Sequence, residues 1–153
     1  MSCKGLSTVG VVTSIEKVAR ALPGETQSAS RANTVKAKVQ EGPSLAAPAL
    51  TAAGVACSEG TIPLSAVTNL NASFGLSTNT LYSGTYVTSV TTSTTGTTGT
   101  IPVVTIVYKA IGSTITAGDT VVYTGTCGAG GLTWGVSGTG TFAGTGIKYL
   151  PKT

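Results

Sequence analysis

Three cysteines, Cys3, Cys57 and Cys127, are the residues of this chain with the most chemistry in reach. In an oxidising compartment, a pair plus a third cysteine suggests one disulfide. Cys57 falls at the end of a predicted helix and Cys127 closes a strand-like run, so a bridge between them would staple helix to sheet. Closing about seventy residues in this way constrains the unfolded chain by roughly 4 kcal/mol. The alternative for the same two residues is a pair of buried free thiols. Cys3, near the start of the chain, is assigned no role.

Other reactive groups do not converge. Ser and Thr hydroxyls abound, but the chain has no His, the commonest partner base and metal ligand. No Ser–Lys pair stands out. The five acids, Glu16, Glu25, Glu41, Glu59 and Asp119, are too scattered for a carboxylate pair or a hard-cation cage. Gly138-Thr139-Gly140 and Gly144 have the look of a phosphate loop, but such a loop opens a helix and Thr-rich, strand-like chain follows here. They read as turn glycines. Five tyrosines and one Trp are material for a stacking surface, although Trp134 on an alternating strand reads as core. Asn71-Ala72-Ser73 fits a glycosylation acceptor, a triplet common by chance. The sequence therefore points away from an enzyme, and no cofactor or metal is expected.

Charge is sparse, 9% of residues with a net of +4. Residues 1–41 hold nine of the fourteen charged side chains. Among them Arg31, Lys36 and Lys38 either touch phosphate or anionic lipid or form a solvated helix face. Richness in Thr, Gly, Ala and Val suits a hydroxyl-lined sheet and a secreted or surface protein. A chain of 153 residues makes one domain with a real core.

The elements that would position these residues follow from periodicity. In residues 1–33, Val9, Val11, Val12 and Ile15 form a short apolar patch, too short and too polar to span a bilayer or to serve as a secretion signal. Ala21 to Asn33 reads as loop or weak helix. From Thr34, the residues Val35, Val39, Gly42, Ala46, Ala49, Ala53 and Cys57 recur at helical spacing, predicting a helix over about 34–57 with a stripe of small side chains. Gly42-Pro43 either restarts or kinks it, Pro48 disturbs it again, and Ser58-Glu59-Gly60 stops it. Residues 61–80 read as a surface loop. Four strand candidates follow: Gly84 to Val90, Ile101 to Ile111, Thr120 to Cys127 and Leu132 to Val136. Thr91 to Thr100 reads as a turn. Ile101 to Ile111 is apolar on both faces and is predicted central, with both sides covered. The expected fold is α+β, a helix on an antiparallel meander spanning 84–136, with a loop and tail over 137–153.

Three segments in this order resemble a type IV pilin of the type IVa kind. Val35-Lys36-Ala37-Lys38-Val39-Gln40-Glu41-Gly42, continued by Leu45-Ala46-Ala47-Pro48-Ala49, is similar to the exposed half of that family's N-terminal helix. Ser83 to Val90 with Val103 to Lys109 resembles its first two strands. Leu132-Thr133-Trp134 with Lys148-Tyr149-Leu150-Pro151 resembles its last strand and tail. The resemblance covers roughly 34–153. It implies one helix packed on a four-stranded antiparallel sheet and self-assembly into a helical filament on the bacterial cell surface. It further implies help from a pilus assembly machinery and a part in adhesion, twitching motility, biofilm formation or DNA uptake, with host-surface or DNA contacts. The helix face Val35, Val39, Ala46, Ala49 and Ala53 is the expected assembly surface.

Two departures accompany the resemblance. Lys4-Gly5-Leu6 is similar to the family's leader cleavage point, but the apolar segment and its Glu do not follow, so residues 1–33 read as atypical or replaced. The family would meet membrane only through that missing segment, and the chain as written is expected to be a soluble monomer. Many relatives also carry a Cys just beyond the Leu-Pro of the tail; its absence before Thr153 leaves Cys57 as the partner of Cys127. Competing readings are a pseudopilin of a secretion system and a secreted β-rich adhesin domain that binds glycan through Tyr or Trp.

Overall fold

Pro23 stands at the first position of helix α1 (Pro23–Val39), where its missing N–H costs no hydrogen bond. The segment expected to be loop or weak helix is thus helical from Pro23, and the helix begins well before Thr34. Lys36 and Lys38 in its last turn complement the partial negative charge of a helix C-terminus. The computed structural model describes residues 23–63, 69–95 and 101–152. These fall in two units, Met1–Asn33 and Thr34–Thr153. Cys3, the apolar patch and Lys4-Gly5-Leu6 lie outside the described residues, and no described helix is long and apolar enough to cross a membrane.

Gln40 separates α1 from α2 (Glu41–Glu59). Pro43 lies in the first turn of α2, so the helix restarts at the Gly-Pro break, and Pro48 is carried inside it. Gly60 ends it in the left-handed region at φ 65°. The Gly60 N–H donates to Cys57 O at 3.3 Å and the Thr61 N–H to Ala56 O at 2.9 Å, satisfying carbonyls that a helix end leaves open.

The sheet is an antiparallel meander in the order β1 (Val87–Thr95), β2 (Ile101–Tyr108), β3 (Thr120–Gly128), β4 (Gly131–Gly138). Together with the helix it forms the expected α+β layer pair. The strand β1 runs to Thr95, through residues read from sequence as a turn. The β-branched Thr side chains favour the pleat, and alternate ones have partners inward. Thr92 is 1% exposed and its hydroxyl donates to Asn71 Oδ1 at 2.8 Å; the Thr94 hydroxyl donates to Pro63 O at 3.4 Å.

The free edge of β1 is closed by the loop before it. Leu70 N–H donates to Thr92 O at 2.7 Å. Asn71 acts as a substitute strand peptide: its Nδ2 donates to Val90 O at 3.1 Å and its Oδ1 accepts the Thr92 N–H at 2.7 Å. Asn71 is 2% exposed and its amide nitrogen also donates to Ser77 O, so this side chain is a sheet-edge cap and not a glycan acceptor. A charge-free edge is an invitation to further strand pairing, and here a side chain blocks it.

β2 is central, as its apolar pattern implies. Val104, Ile106 and Tyr108 face α2 with no exposed surface. The other face is not covered by a second layer among the described residues, contrary to expectation. Val103 is buried among neighbouring side chains, Val107 is half-buried and Ile101 is exposed. Beyond the strands, Ile111 and Ile115 close the β2–β3 connection through a bridge and are both buried.

Candidate functional site

Of the residues singled out for assembly, Val35 and Val39 lie in the last turns of α1 and Ala46, Ala49 and Ala53 in α2, whose two ends are fixed to the sheet by different chemistry. Pro43 has no N–H, so the Val39 carbonyl four residues earlier loses its helical donor. The Tyr108 hydroxyl replaces it, donating to Val39 O at 2.8 Å from a fully buried ring. That ring rests against Phe142, centroids 5.2 Å apart. Gly42 makes the approach possible: a Cβ there would collide with the Tyr108 hydroxyl and its ring carbon. Burial, followed by the negative charges of Tyr123 and Glu41, pushes the Tyr108 pKa far above the tyrosine range, so its hydroxyl stays a donor.

Next to this contact, Glu41 clasps the chain entering β1. Its Oε1 accepts the Thr85 N–H and its Oε2 the Tyr86 N–H, each at 2.6 Å. Gly84 leaves the room that Oε1 occupies. Lys109 Nζ donates to Gly84 O at 2.7 Å, and Lys38 Nζ lies 5.0 Å from the Tyr86 ring centroid. Sequence reasoning placed Glu41, Lys38 and Lys109 in the pilin-like segments, and Lys38 on a phosphate-contacting or solvated helix face, without finding these contacts. The one available signal was an acid directly before Gly-Pro. At the other end of α2, Cys57 and Cys127 are disulfide-bonded with Cα atoms 5.8 Å apart, which decides between the bridge and free thiols.

The proposed assembly residues do share one stripe, but it faces inward. Val39, Ala46 and Ala53 are fully buried, Ala49 is 1% exposed and Val35 is 9% exposed. Their small side chains bring α2 close to β1 and β2, so within this unit they are core and not a surface held out to a neighbouring subunit. The outward face consists of Ser44, Ala47, Pro48, Thr51, Val55 and Ser58, with Val55 50% exposed. Ser44 Oγ donates to Gln40 O at 3.1 Å and Ser58 Oγ to Val55 O at 2.9 Å, so both hydroxyls are turned back onto their own helix. No charged residue stands between Glu41 and Glu59.

The aromatic residues do not gather into an open platform. Tyr108, Tyr123 and Tyr149 are buried. Trp134, half-buried, meets Tyr123 edge-on at 6.2 Å on the helix side of the sheet. Burial raises the Tyr123 pKa above the ordinary value.

Asp119 is a second anchor that composition did not reveal. It is 7% exposed and ties the β2–β3 connection to the turn Gly140–Ala143. Thr116 N–H donates to Asp119 Oδ2 at 3.0 Å, and Gly140, at φ 60°, passes too close to Oδ1 to bear a Cβ. Burial alone would raise the Asp119 pKa. Hydrogen bonds from the Thr141 hydroxyl and from the Thr116 and Thr141 backbone outweigh it and hold the carboxyl below its usual range. A carboxyl depressed in the fold stabilises above the unfolded-state value, about 4, and that contribution disappears as pH falls through the folded value. Urea midpoints of the native chain should therefore fall on acidification below about pH 4. Asp119→Asn should flatten that acid limb and lower neutral-pH stability by about 1–3 kcal/mol. An acid limb identical in the two proteins would refute the assignment.

A comparison with curated proteins returned no match. The family model for pilins, proteins of bacterial filaments, matches residues 35–153. That span holds α2, the whole meander and the tail. Proteins of this family are structural subunits that join copies of themselves into a surface filament, extracellular in its mature form. With helix α2 packed on a four-stranded antiparallel sheet and a family match over most of its length, the chain belongs to the pilin family.

Proposed function

We propose that this chain is a structural subunit of the type IV class of pilus and that the outward face of α2 is its surface of contact with neighbouring subunits. The observation that carries the reading is the composition of that face. A helix resting on a sheet ordinarily shows charged side chains to solvent, whereas one without them on any side is suited to burial all round. From Gly42 to Ser58, α2 has no charged residue, and its outward hydroxyls at Ser44 and Ser58 are already bonded. Family membership supplies the partner, further copies of the same chain. Adhesion, twitching motility, biofilm formation and DNA uptake are uses to which such a fibre is put, and a pseudopilin of a secretion system would share the same helix. No catalytic role is part of this reading.

The test separates the two faces of the helix. Thr51→Lys with Val55→Lys should leave the melting temperature of the chain nearly unchanged and abolish its incorporation into fibres in the producing cells. Ala46→Leu with Ala53→Leu should instead destabilise the folded unit, because overpacking each fully buried position costs about 1–3 kcal/mol. Fibres of normal yield from the double Lys variant would contradict the proposed contact face.

A further inference from the structure

From Thr120 to Ile147 the chain has no charged side chain. This stretch includes the edge strand β4, which differs from the edge at β1 in having no cap among the described residues. Thr139 N–H donates to Thr120 O at 3.0 Å. Alternation along an antiparallel ladder then assigns the backbone groups of Thr133, Gly135 and Ser137 to β3. Those of Leu132, Trp134, Val136 and Gly138 point away from the sheet. Natural edges are usually protected by Lys, Pro, a bulge or a covering loop. In β4, Gly-Leu-Thr-Trp-Gly-Val-Ser-Gly, none of the first three is present.

Gly135 adds an independent observation. A glycine inside a strand costs stability and commonly marks a close backbone approach. Gly125 and Gly138 have such reasons within the chain, since a Cβ would strike Pro102 and Leu132 at the first and Phe142 at the second. At Gly135 the nearest atom to an added Cβ is Thr124 O at 3.8 Å, an ordinary contact, and its φ needs no glycine. Among the described residues nothing requires Gly at this exposed position.

We propose that β4 pairs antiparallel with β4 of a second copy of this chain about a two-fold axis at Gly135, joining two meanders into one continuous sheet. The register is self-consistent. Gly135 faces its own counterpart as a non-hydrogen-bonded pair, the closer kind of pair, where the absence of side chains is an advantage. Trp134 faces Val136 of the other copy with both backbone groups of each free to bond, an aromatic–β-branched pair of the favourable type. On the outer face, Thr133 meets Ser137 as a hydroxyl pair. The edge strand itself brings no charge to such a pairing, although the chain carries a net charge of +4. The contact is small, so association is weak and concentration-dependent. The inference concerns the β4 edge alone and does not rest on the helix face proposed above.

The test is sedimentation equilibrium of the full chain from micromolar to near-millimolar concentration, with amide hydrogen exchange at both ends of the series. The expected result is a monomer–dimer equilibrium in which the amides of Trp134 and Val136 gain protection at high concentration while Ser137 is protected throughout. Val136→Pro removes an outward N–H and no donor to β3, and Thr133→Lys puts a charge on the edge; each should weaken association by roughly tenfold or more. A far-UV spectrum confirms that each variant is folded, and the exchange pattern of the native chain decides the matter if one is not. A monomer at every concentration, or a dimer whose Trp134 and Val136 amides exchange as in the monomer, would overturn the proposal.

Discussion

Cys57→Ser with Cys127→Ser should lower the unfolding free energy by about 4 kcal/mol, a large share of the 5–15 typical of a domain. The bridge closes a loop of 70 residues that contains β1, β2 and nearly all of β3, so its removal frees a long stretch of unfolded chain. It also has a local task. Cys57 lies in the last turns of α2, and the opposite end of that helix is fastened by Tyr108 and Glu41 instead. Hydrogen exchange in the variant should therefore accelerate first at Ala56 to Glu59, while the Gly42 end keeps its protection. Denaturant titrations of the oxidised, reduced and doubly substituted chains measure the effect. A loss under 1 kcal/mol would mean that the bridge constrains little, and uniform acceleration along α2 would contradict the separate anchoring of its ends.

Gly42→Ala should destabilise the chain by about 3 kcal/mol, combining overpacking with loss of the Tyr108 hydrogen bond. This is much more than an exposed helix would show, where replacing Gly by Ala stabilises by about 1 kcal/mol. The sign reverses because the new Cβ occupies the place of a buried hydroxyl that cannot withdraw; its ring is held by Phe142. Tyr108→Phe alone should cost about 1–3 kcal/mol, the penalty for leaving the Val39 carbonyl without a donor. In the Phe background Gly42→Ala should become cheaper by about 1 kcal/mol, because the nearest of the atoms it strikes is gone while the ring carbon remains. Strict additivity in that double-mutant cycle would show that the two residues do not meet as described.

Much of the architecture was legible because it follows from periodicity. The small-residue stripe from Val35 to Cys57, the Gly60 stop and the four strand segments all mark real elements. Thr91 to Thr95 misread as turn because Thr and Ser are common in both settings. What makes this run a strand is a partner far along the chain, the Asn71 amide, which composition cannot place. The part of helix α1 before Thr34 was hidden for a related reason, since a polar segment with a Pro-Gly start shows no apolar period. The direction of the stripe was the main error. Spacing shows that Ala46, Ala49 and Ala53 share a face, but not whether the sheet or a neighbouring subunit occupies it; burial against the sheet does. The roles of Glu41, Asn71, Tyr108 and Asp119 were not visible, Asn71 being noted only as a fit to a glycosylation acceptor, because each acts through backbone groups of distant segments, and backbone leaves no trace in a sequence pattern.

The filament reading is tested most directly by peptide mass spectrometry, without reduction, on surface fibres sheared from the cells that make this protein. The prediction is that peptides spanning residues 39–153 are major components of the fibres, with the peptides containing Cys57 and Cys127 recovered as one disulfide-linked species. Recovery of those peptides only from the secreted soluble fraction, with fibres made of other chains, would contradict it.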